Sequence, residues 1–160
     1  MNYNFKPKLY NAVTIALISA GFIPTTFAEV NDLDVNNPNG TTITNSATGA
    51  AVDLDNGGSF TVINNGTISA SATNNAYGVN TDNSTTITTL SNTKNITATA
   101  SNSNGNGIGI GASTLTSLTN SGTISGTAAN DIGRGFTLVA GGTITNLTNS
   151  GTISGTAGDD

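Results

Sequence analysis

The chain has 160 residues, of which Thr, Asn and Gly make up nearly half, and it contains no Cys, His or Trp. Only 8% of the residues are charged and the formal net charge is −5, which disfavours nucleic acid as a partner because phosphate binding needs a basic surface. Without Cys or His the chain has neither a thiolate nor an imidazole for nucleophilic catalysis. We therefore expect a protein that is not an enzyme and that holds no cofactor and no metal.

The segment 1–28 has the pattern of a Sec-type signal peptide. Lys6 and Lys8 lie in a positively charged n-region, and an apolar run extends from about Ala12 to Ile23. Thr26-Phe27-Ala28 then offers small residues at the two positions that signal peptidase recognises. The apolar run is too short for a membrane anchor, which needs about 20 apolar residues. We predict export through the Sec machinery and cleavage by signal peptidase after Ala28. Nine acidic and two basic residues then remain, so the mature chain has a formal net charge of −7.

The segment 29–45 is predicted to form a lead-in strand region that caps the fold. It includes Asn37-Pro38-Asn39-Gly40, which is typical of a type I turn because Pro suits the second position and Gly the fourth. The same four residues resemble a motif of two-partner secreted haemagglutinin-like exoproteins. The plain turn is the favoured interpretation, because no other motif of that family is visible.

Two short stretches could suggest chemistry, but each has a simpler interpretation. Asp32 and Asp34, and further on Asp53 and Asp55, alternate with apolar residues. Calcium takes six to eight oxygen ligands, and two carboxylates are not enough. We therefore interpret each pair as solubilising surface charge. The segment 56–60 is similar to a serine loop, but it lacks the G-x-S-x-G pattern and is predicted to form a turn.

The rest of the chain is a repeat. The anchor residues Ile68, Ile96, Ile124 and Ile153 each stand in a Thr/Asn-Ile-Ser/Thr triplet. They recur about every 28 residues, and self-similarity at such a period indicates a repeat array. We place the four units approximately at 46–73, 74–101, 102–129 and 130–158.

Each unit contains three short apolar patterns that predict strands. The first is the anchor triplet, in which alternation puts Ile on one face and small polar residues on the other. The second pattern has an apolar residue six positions before the anchor and another three positions earlier, and the third is an alternating pair further back. Six positions before the anchors stand Val62, Leu90, Leu118 and Leu147. Three positions earlier stand Ile87, Leu115 and Ile144, while in the first unit Ser59 breaks the pattern and Phe60 is its substitute. The alternating pairs are Val52 and Leu54, Tyr77 and Val79, Ile108 and Ile110, and Phe136 and Leu138.

Such units can bury their apolar residues only by coiling and stacking. A single unit encloses no core, whereas stacked units form parallel sheets in which equivalent apolar residues lie above one another. Gly, Asn, Thr and Ser dominate throughout, and all of them are poor residues for a helix interior. We predict an all-β protein, a parallel β-helix of about four coils with about 28 residues and three short strands per coil.

Two further positions recur in every unit. An asparagine stands four residues before each anchor, as Asn64, Asn92, Asn120 and Asn149. Stacked asparagines can hydrogen-bond to the copies above and below, so we predict a ladder. Two residues before the anchor come Gly66, Gly122 and Gly151, with Lys94 as the exception, and we expect glycine there to serve a turn with positive φ.

Together with the signal peptide, these repeats resemble a known class of bacterial surface protein. The phrases NNGTISA (Asn64–Ala70) and TNSGTISGTA (Thr119–Ala128, repeated at Thr148–Ala157) are similar to the passenger repeats of autotransporters. These are the type V secreted proteins of Gram-negative bacteria. The resemblance implies a right-handed β-helical passenger domain that a C-terminal β-barrel carries across the outer membrane.

The expected function follows from that resemblance. It implies an exported surface stalk or adhesin, with a ligand on a host or neighbouring cell that the sequence does not identify. No strands typical of the barrel are visible, so we expect a truncated product or a fragment: cell-surface as part of a full autotransporter, otherwise periplasmic or secreted. The alternatives are a passenger that has lost a protease or esterase domain, and a haemagglutinin-like exoprotein fragment. Ice binding by the outward Thr rows is disfavoured because Asn95 interrupts them.

Overall fold

A computed structural model describes residues 26–27, 30–46, 49–82 and 84–158, which form sixteen β-strands and no helix. Apart from Thr26 and Phe27, the predicted signal peptide lies outside the described residues, so its cleavage stays a prediction. In the described part of the chain, no helix is long and apolar enough to cross a membrane.

The strands pair in parallel in three sheets, which we call A, B and C. In chain order the strands are β1 (Thr26–Phe27), β2 (Val30–Asn31), β3 (Val35–Asn37), β4 (Thr42–Asn45), β5 (Gly49–Leu54), β6 (Gly58–Asn64), β7 (Thr67–Ala72), β8 (Ala76–Thr81), β9 (Thr85–Asn92), β10 (Asn95–Ala100), β11 (Gly105–Ile110), β12 (Thr114–Asn120), β13 (Thr123–Ala128), β14 (Gly133–Leu138), β15 (Thr143–Asn149) and β16 (Thr152–Ala157). Sheet A has the order β1-β4-β7-β10-β13-β16, sheet B the order β2-β5-β8-β11-β14 and sheet C the order β3-β6-β9-β12-β15. Each coil passes through sheets B, C and A in turn, which confirms the predicted β-solenoid with three strands per coil and about 28 residues per turn.

The predicted anchor residues form an internal column in sheet A. Ile68, Ile96, Ile124 and Ile153 are successive Cα partners in the parallel ladder. In sheet C, Val62, Leu90, Leu118 and Leu147 form a second column. Full burial of one such side chain stabilises the fold by about 1.5–3 kcal/mol, so these columns supply much of the driving force for coiling.

The predicted lead-in region is itself a shortened coil. Strands β2, β3 and β4 pair with β5, β6 and β7, and they extend both columns by one member, Val35 over Val62 and Ile43 over Ile68. The step along the chain from Ile43 to Ile68 is shorter than every later step between anchors. A search at constant spacing therefore does not find this coil.

The predicted pairing in sheet B needs one correction. Tyr77 does not align with Val52, because its Cα partners are Ala50 and Asn106, and Val79 is the residue in register with Val52. Thr81 consequently stands in the column of Leu54 and Ile110, where the pattern predicts an apolar residue. In the first full unit Phe60 does replace Ser59: it pairs with Ile87, and a β-bulge follows between Phe60 and Thr61.

The reason for the recurrent glycines also differs from the prediction. Gly66, Gly122 and Gly151 do not have positive φ. A Cβ on Gly122 would lie 2.0 Å from the carbonyl oxygen of Lys94, and one on Gly151 would lie 2.1 Å from that of Gly122. Glycine is therefore required by the close approach of consecutive coils.

Lys94 occupies the same position with a side chain because the gap to the previous coil is wider there. The hydrogen bond from Asn95 N to Gly66 O is 3.3 Å long, whereas the equivalent bond from Thr123 N to Lys94 O is 2.6 Å. The repeat thus accommodates one larger residue by a local separation of the backbones.

The turn at positions 37–40 is shifted from the predicted one. Its hydrogen bond runs from Thr41 N to Pro38 O at 3.2 Å, and Gly40 has a φ of +82°. Pro38 is therefore the first residue of the turn and Gly40 the third, the position at which a type II turn requires positive φ.

Candidate functional site

The most regular polar feature is a ladder of five asparagines at the corner between sheets C and A. The Nδ2 atom of each one donates to the Oδ1 atom of the next: Asn37 to Asn64 at 2.7 Å, Asn64 to Asn92 at 2.7 Å, Asn92 to Asn120 at 2.8 Å and Asn120 to Asn149 at 2.7 Å. The first four side chains are buried, whereas Asn149 is exposed. The structure thus brings the four predicted asparagines together and adds Asn37, which the shortened first coil conceals in the sequence.

The ladder has a second set of hydrogen bonds and a direction. In the first four members, Nδ2 also donates to a backbone carbonyl of the following coil, for example from Asn64 to Asn95 O at 2.9 Å and from Asn92 to Thr123 O at 3.1 Å. The bonds from amide to amide therefore all run toward the C-terminal end of the stack. Burying an amide that keeps all its hydrogen-bond partners costs little stability, whereas one that loses a partner lowers the free energy of unfolding by about 1–3 kcal/mol. The ladder therefore favours coils that keep this register.

In the first described coil, polar side chains bond to groups of the chain itself. The hydroxyl of Thr41 donates to Asn37 Oδ1, the last bond of the ladder on that side among the described residues. The carboxylate of Asp32 accepts hydrogen bonds from the backbone N–H groups of Asp55 and Asn56, and that of Asp34 accepts one from Thr61 N at 2.6 Å. Asp32 and Asp34, which the sequence pattern indicates only as solubilising charge, therefore also cap amides of the next coil.

The C-terminal end has a different surface. Large apolar side chains are exposed on the last coil, with exposed fractions of 44% for Ile132 and Leu138, 50% for Val139 and 51% for Leu147. The anchor Ile153 is only partly buried, although its column partner Ile124 is fully buried. Among the described residues, Asn149 Nδ2 donates only to Gly151 O, at 3.2 Å. Among the described residues, part of the apolar interior is therefore uncovered at the last coil.

The outward face of sheet A is a neutral array of small polar side chains. Alternation along each strand turns the buried Ile and Ala inward and leaves Ser, Thr and Asn outside. Neighbouring rows can contact each other, as Thr97 Oγ1 does when it donates to Ser69 Oγ at 3.1 Å. The full coils contribute Thr67, Ser69, Ser71, Asn95, Thr97, Thr99, Thr123, Ser125, Thr127, Thr152, Ser154 and Thr156.

The acidic residues of the first coils influence one another. Asp53 accepts a hydrogen bond from Asn80 Nδ2 at 3.0 Å. Burial raises the pKa of the Asp53 carboxyl above its ordinary value, the bond from Asn80 opposes this, and the negative charges of Asp55, Asp32 and Asp82 add to it. Within the described ranges, no three His, Cys, Asp or Glu residues form a group that could hold a metal ion.

Among the described residues, three buried hydroxyl groups at the corner between sheets B and C have no hydrogen-bond partner. They belong to Thr81, Thr85 and Ser113. Thr86 and Thr114 are Cα partners, and Thr85 and Ser113 stand directly before them. The hydroxyls of Thr85 and Ser113 therefore occupy the same place in successive coils. Sequence reasoning missed them, although a Thr in an otherwise aliphatic column at position 81 was an available signal.

Comparison with known proteins adds no identification: no family model, curated protein or solved structure matches this chain.

Proposed function

We propose that this protein is an exported, non-enzymatic β-solenoid of the autotransporter passenger kind, which serves as a surface stalk or an adhesive segment. The observation that carries the proposal is the continuous stack of coils, held by apolar columns inside and by the asparagine ladder at one corner. Each coil adds about 4.8 Å along the axis. A rod whose length grows with its coil number is suited to holding a surface away from a cell.

The neutral face of sheet A supports the adhesive role. Its rows of hydroxyl and amide groups, such as Thr99 and Thr127, repeat at each coil and carry no charge. Each such group offers a weak hydrogen bond, and a partner that contacts many rows would add these contacts over a long surface. The chemistry fits a partner rich in hydroxyl or amide groups better than a charged one.

The competing functions receive less support. An enzyme-bearing passenger would need its catalytic groups in another domain, because this chain contains no His or Cys. The haemagglutinin-like alternative depended on the segment 37–40. These residues have structural roles here: Asn37 begins the ladder, and Gly40 provides the positive φ of a turn.

Export can be tested separately from adhesion. The full chain with a C-terminal tag is expressed in a Gram-negative host, and the fractions are analysed by mass spectrometry. We expect a processed form that starts at Glu29 outside the cytoplasm. The matched variant Ala28→Asp removes the small residue before the cleavage site and should leave the chain unprocessed. An unprocessed parent chain in the cytoplasm would contradict the proposal of export.

Adhesion is tested with the folded segment itself. Beads coated with the segment 29–160 are incubated with layers of epithelial cells and with Gram-negative cells, and bound beads are counted. The control carries Thr99→Lys and Thr127→Lys, which add charge to exposed positions of sheet A without changing the core. We expect the parent beads to bind several-fold better than the control beads. Equal binding would remove the adhesive role and leave the stalk.

A further inference from the structure

Five Asn-Gly steps in the chain offer a reaction that needs no enzyme. In such a step the backbone nitrogen of the glycine attacks the side-chain amide carbon of the asparagine, and the glycine has no Cβ to hinder the approach. All five steps lie within the described residues, so the structure defines how freely each of them can react. They are Asn39-Gly40, Asn56-Gly57, Asn65-Gly66, Asn104-Gly105 and Asn106-Gly107.

Three of these steps are held inside the stack of coils. The buried Gly105 N donates to Ile132 O at 3.2 Å, and the buried Gly66 N donates to Asn64 Oδ1 at 3.3 Å. In the third step Asn106 is only 2% exposed, and the glycine after it is buried in strand β11. A backbone nitrogen in such a place reacts only after the local structure opens, which costs free energy.

The Asn39-Gly40 step is exposed but is fixed by a turn. Thr41 N donates to Pro38 O at 3.2 Å across the step, and the Thr41 hydroxyl donates to the same oxygen at 2.7 Å. In a type II turn the second residue, here Asn39, has a ψ of about +120°. This ψ turns the Gly40 nitrogen away from the Asn39 side chain, so the attack requires the turn to open.

The Asn56-Gly57 step lies in the exposed connection between strands β5 and β6. Gly57 N has no hydrogen-bond partner in the part of the chain that the structure describes. Gly57 has a φ of +66°, and Gly58 after it has a φ of +140°. Two consecutive glycines rotate with little steric hindrance, so the backbone on this side of Asn56 can approach the side chain without loss of a hydrogen bond.

We propose that Asn56-Gly57 is a site of spontaneous deamidation in the folded protein. Gly57 N gives its proton to the solvent and bonds to Asn56 Cγ. The bond from Cγ to Nδ2 then breaks, and ammonia leaves after taking a proton from the solvent. The five-membered succinimide that remains is opened by water at one of its two carbonyls, so one water molecule is consumed and one ammonia molecule is released.

The reaction has two products, and both change the surface of the first coils. Opening at one carbonyl gives aspartate, and opening at the other gives isoaspartate, in which the main chain runs through Cγ. Either product adds a negative charge beside Asp55 and Asp32. The Asp32 carboxylate accepts hydrogen bonds from Asp55 N at 3.1 Å and from Asn56 N at 3.2 Å, so the new charge stands at a contact between two coils.

The test compares the five steps within one molecule. The purified full chain is aged in a mildly alkaline buffer and digested with pepsin in acid, and mass spectrometry measures deamidation at each step. We expect Asn56 to convert about tenfold faster or more than each of the other four asparagines, because only they need local opening. The same chain aged in urea should lose most of this preference, since unfolding removes the protection.

The variant Asn56→Gln provides the matched control. Its longer side chain would have to close a six-membered ring, which forms much more slowly, and the position is exposed, so the fold is kept. Isoelectric focusing of the aged parent should show one early acidic shift that this variant lacks. Equal rates at Asn56 and Asn65 in the folded chain would overturn the proposal. An unchanged preference for Asn56 in urea would also overturn it, and so would a product that contains no isoaspartate.

Discussion

The same eleven-residue phrase, LTNSGTISGTA, occurs at Leu118–Ala128 and at Leu147–Ala157 and has unlike environments in its two copies. In the first copy Leu118, Asn120 and Ile124 are all buried. In the second copy Leu147 and Asn149 are exposed, although the strand bounds and the pairing register are the same. An identical local sequence thus gives an identical local backbone, while burial depends on whether a coil lies on both sides. Most of the stability of each repeat therefore comes from its interfaces with its neighbours.

The largest expected effect on stability comes from truncating the leucine of each copy. Leu118→Ala opens a cavity in the core and should lower the free energy of unfolding by about 2–5 kcal/mol. Leu147→Ala removes a half-exposed side chain and should cost less than about 1.5 kcal/mol, because much of it is already in water. Urea unfolding followed by circular dichroism measures both. Similar losses for the two variants would show that the last coil is covered.

The asparagines provide a second matched pair. Asn120→Ala leaves the buried Nδ2 of Asn92 without its Oδ1 acceptor and should cost about 1–3 kcal/mol. Asn149→Ala also removes the Oδ1 acceptor of Asn120, but this bond is only partly buried and Asn149 itself donates to no further coil, so the variant should cost less than Asn120→Ala. Urea unfolding followed by circular dichroism measures the free energy of unfolding of both variants. If Asn120→Ala left stability unchanged, the ladder would not contribute to it.

A third prediction concerns Thr81, a residue with an unpaired hydroxyl in a coil that is stacked on both sides. Thr81 is buried between Leu54 and Ile110, and its hydroxyl has no hydrogen-bond partner in the part of the chain that the structure describes. Thr81→Val keeps the shape and removes the unpaired group, so we expect a gain of about 1 kcal/mol. The control Thr89→Val changes an exposed residue and should leave the melting temperature nearly unchanged. A melting temperature that falls in Thr81→Val would mean that the hydroxyl is satisfied in solution.

The smallest effect belongs to Asp53, near the capped end. Because its pKa is higher in the folded state than in the unfolded one, its protonated form favours folding. This contribution is fully present below the ordinary Asp pKa of about 3.9 and is lost as the pH rises through the folded pKa. Asp53→Asn stays neutral at every pH, so it should raise the melting temperature slightly at neutral pH and hardly at a pH below the ordinary Asp pKa. An equal shift under both conditions would exclude titration of Asp53 as the cause.

The sequence by itself determined the architecture. A period of about 28 residues with Ile, Leu and Asn at fixed offsets is enough to predict parallel coils, because stacking requires like residues over like. It also placed the members of the two main columns. Those predictions depend on spacing along one chain, and spacing is what a repeat preserves.

The tertiary structure decided what depends on contacts between coils. It showed that the segment 30–45 forms a coil of its own, since irregular spacing conceals a register that backbone pairing reveals. It assigned the glycines to close backbone approach, which no local pattern distinguishes from positive φ. It also gave the outermost described coils unlike contacts: Asp34 and Thr41 hydrogen-bond to groups of the chain, whereas Leu147 is half exposed. Burial and hydrogen bonding belong to pairs of neighbours, and only the folded stack defines which neighbours each residue has.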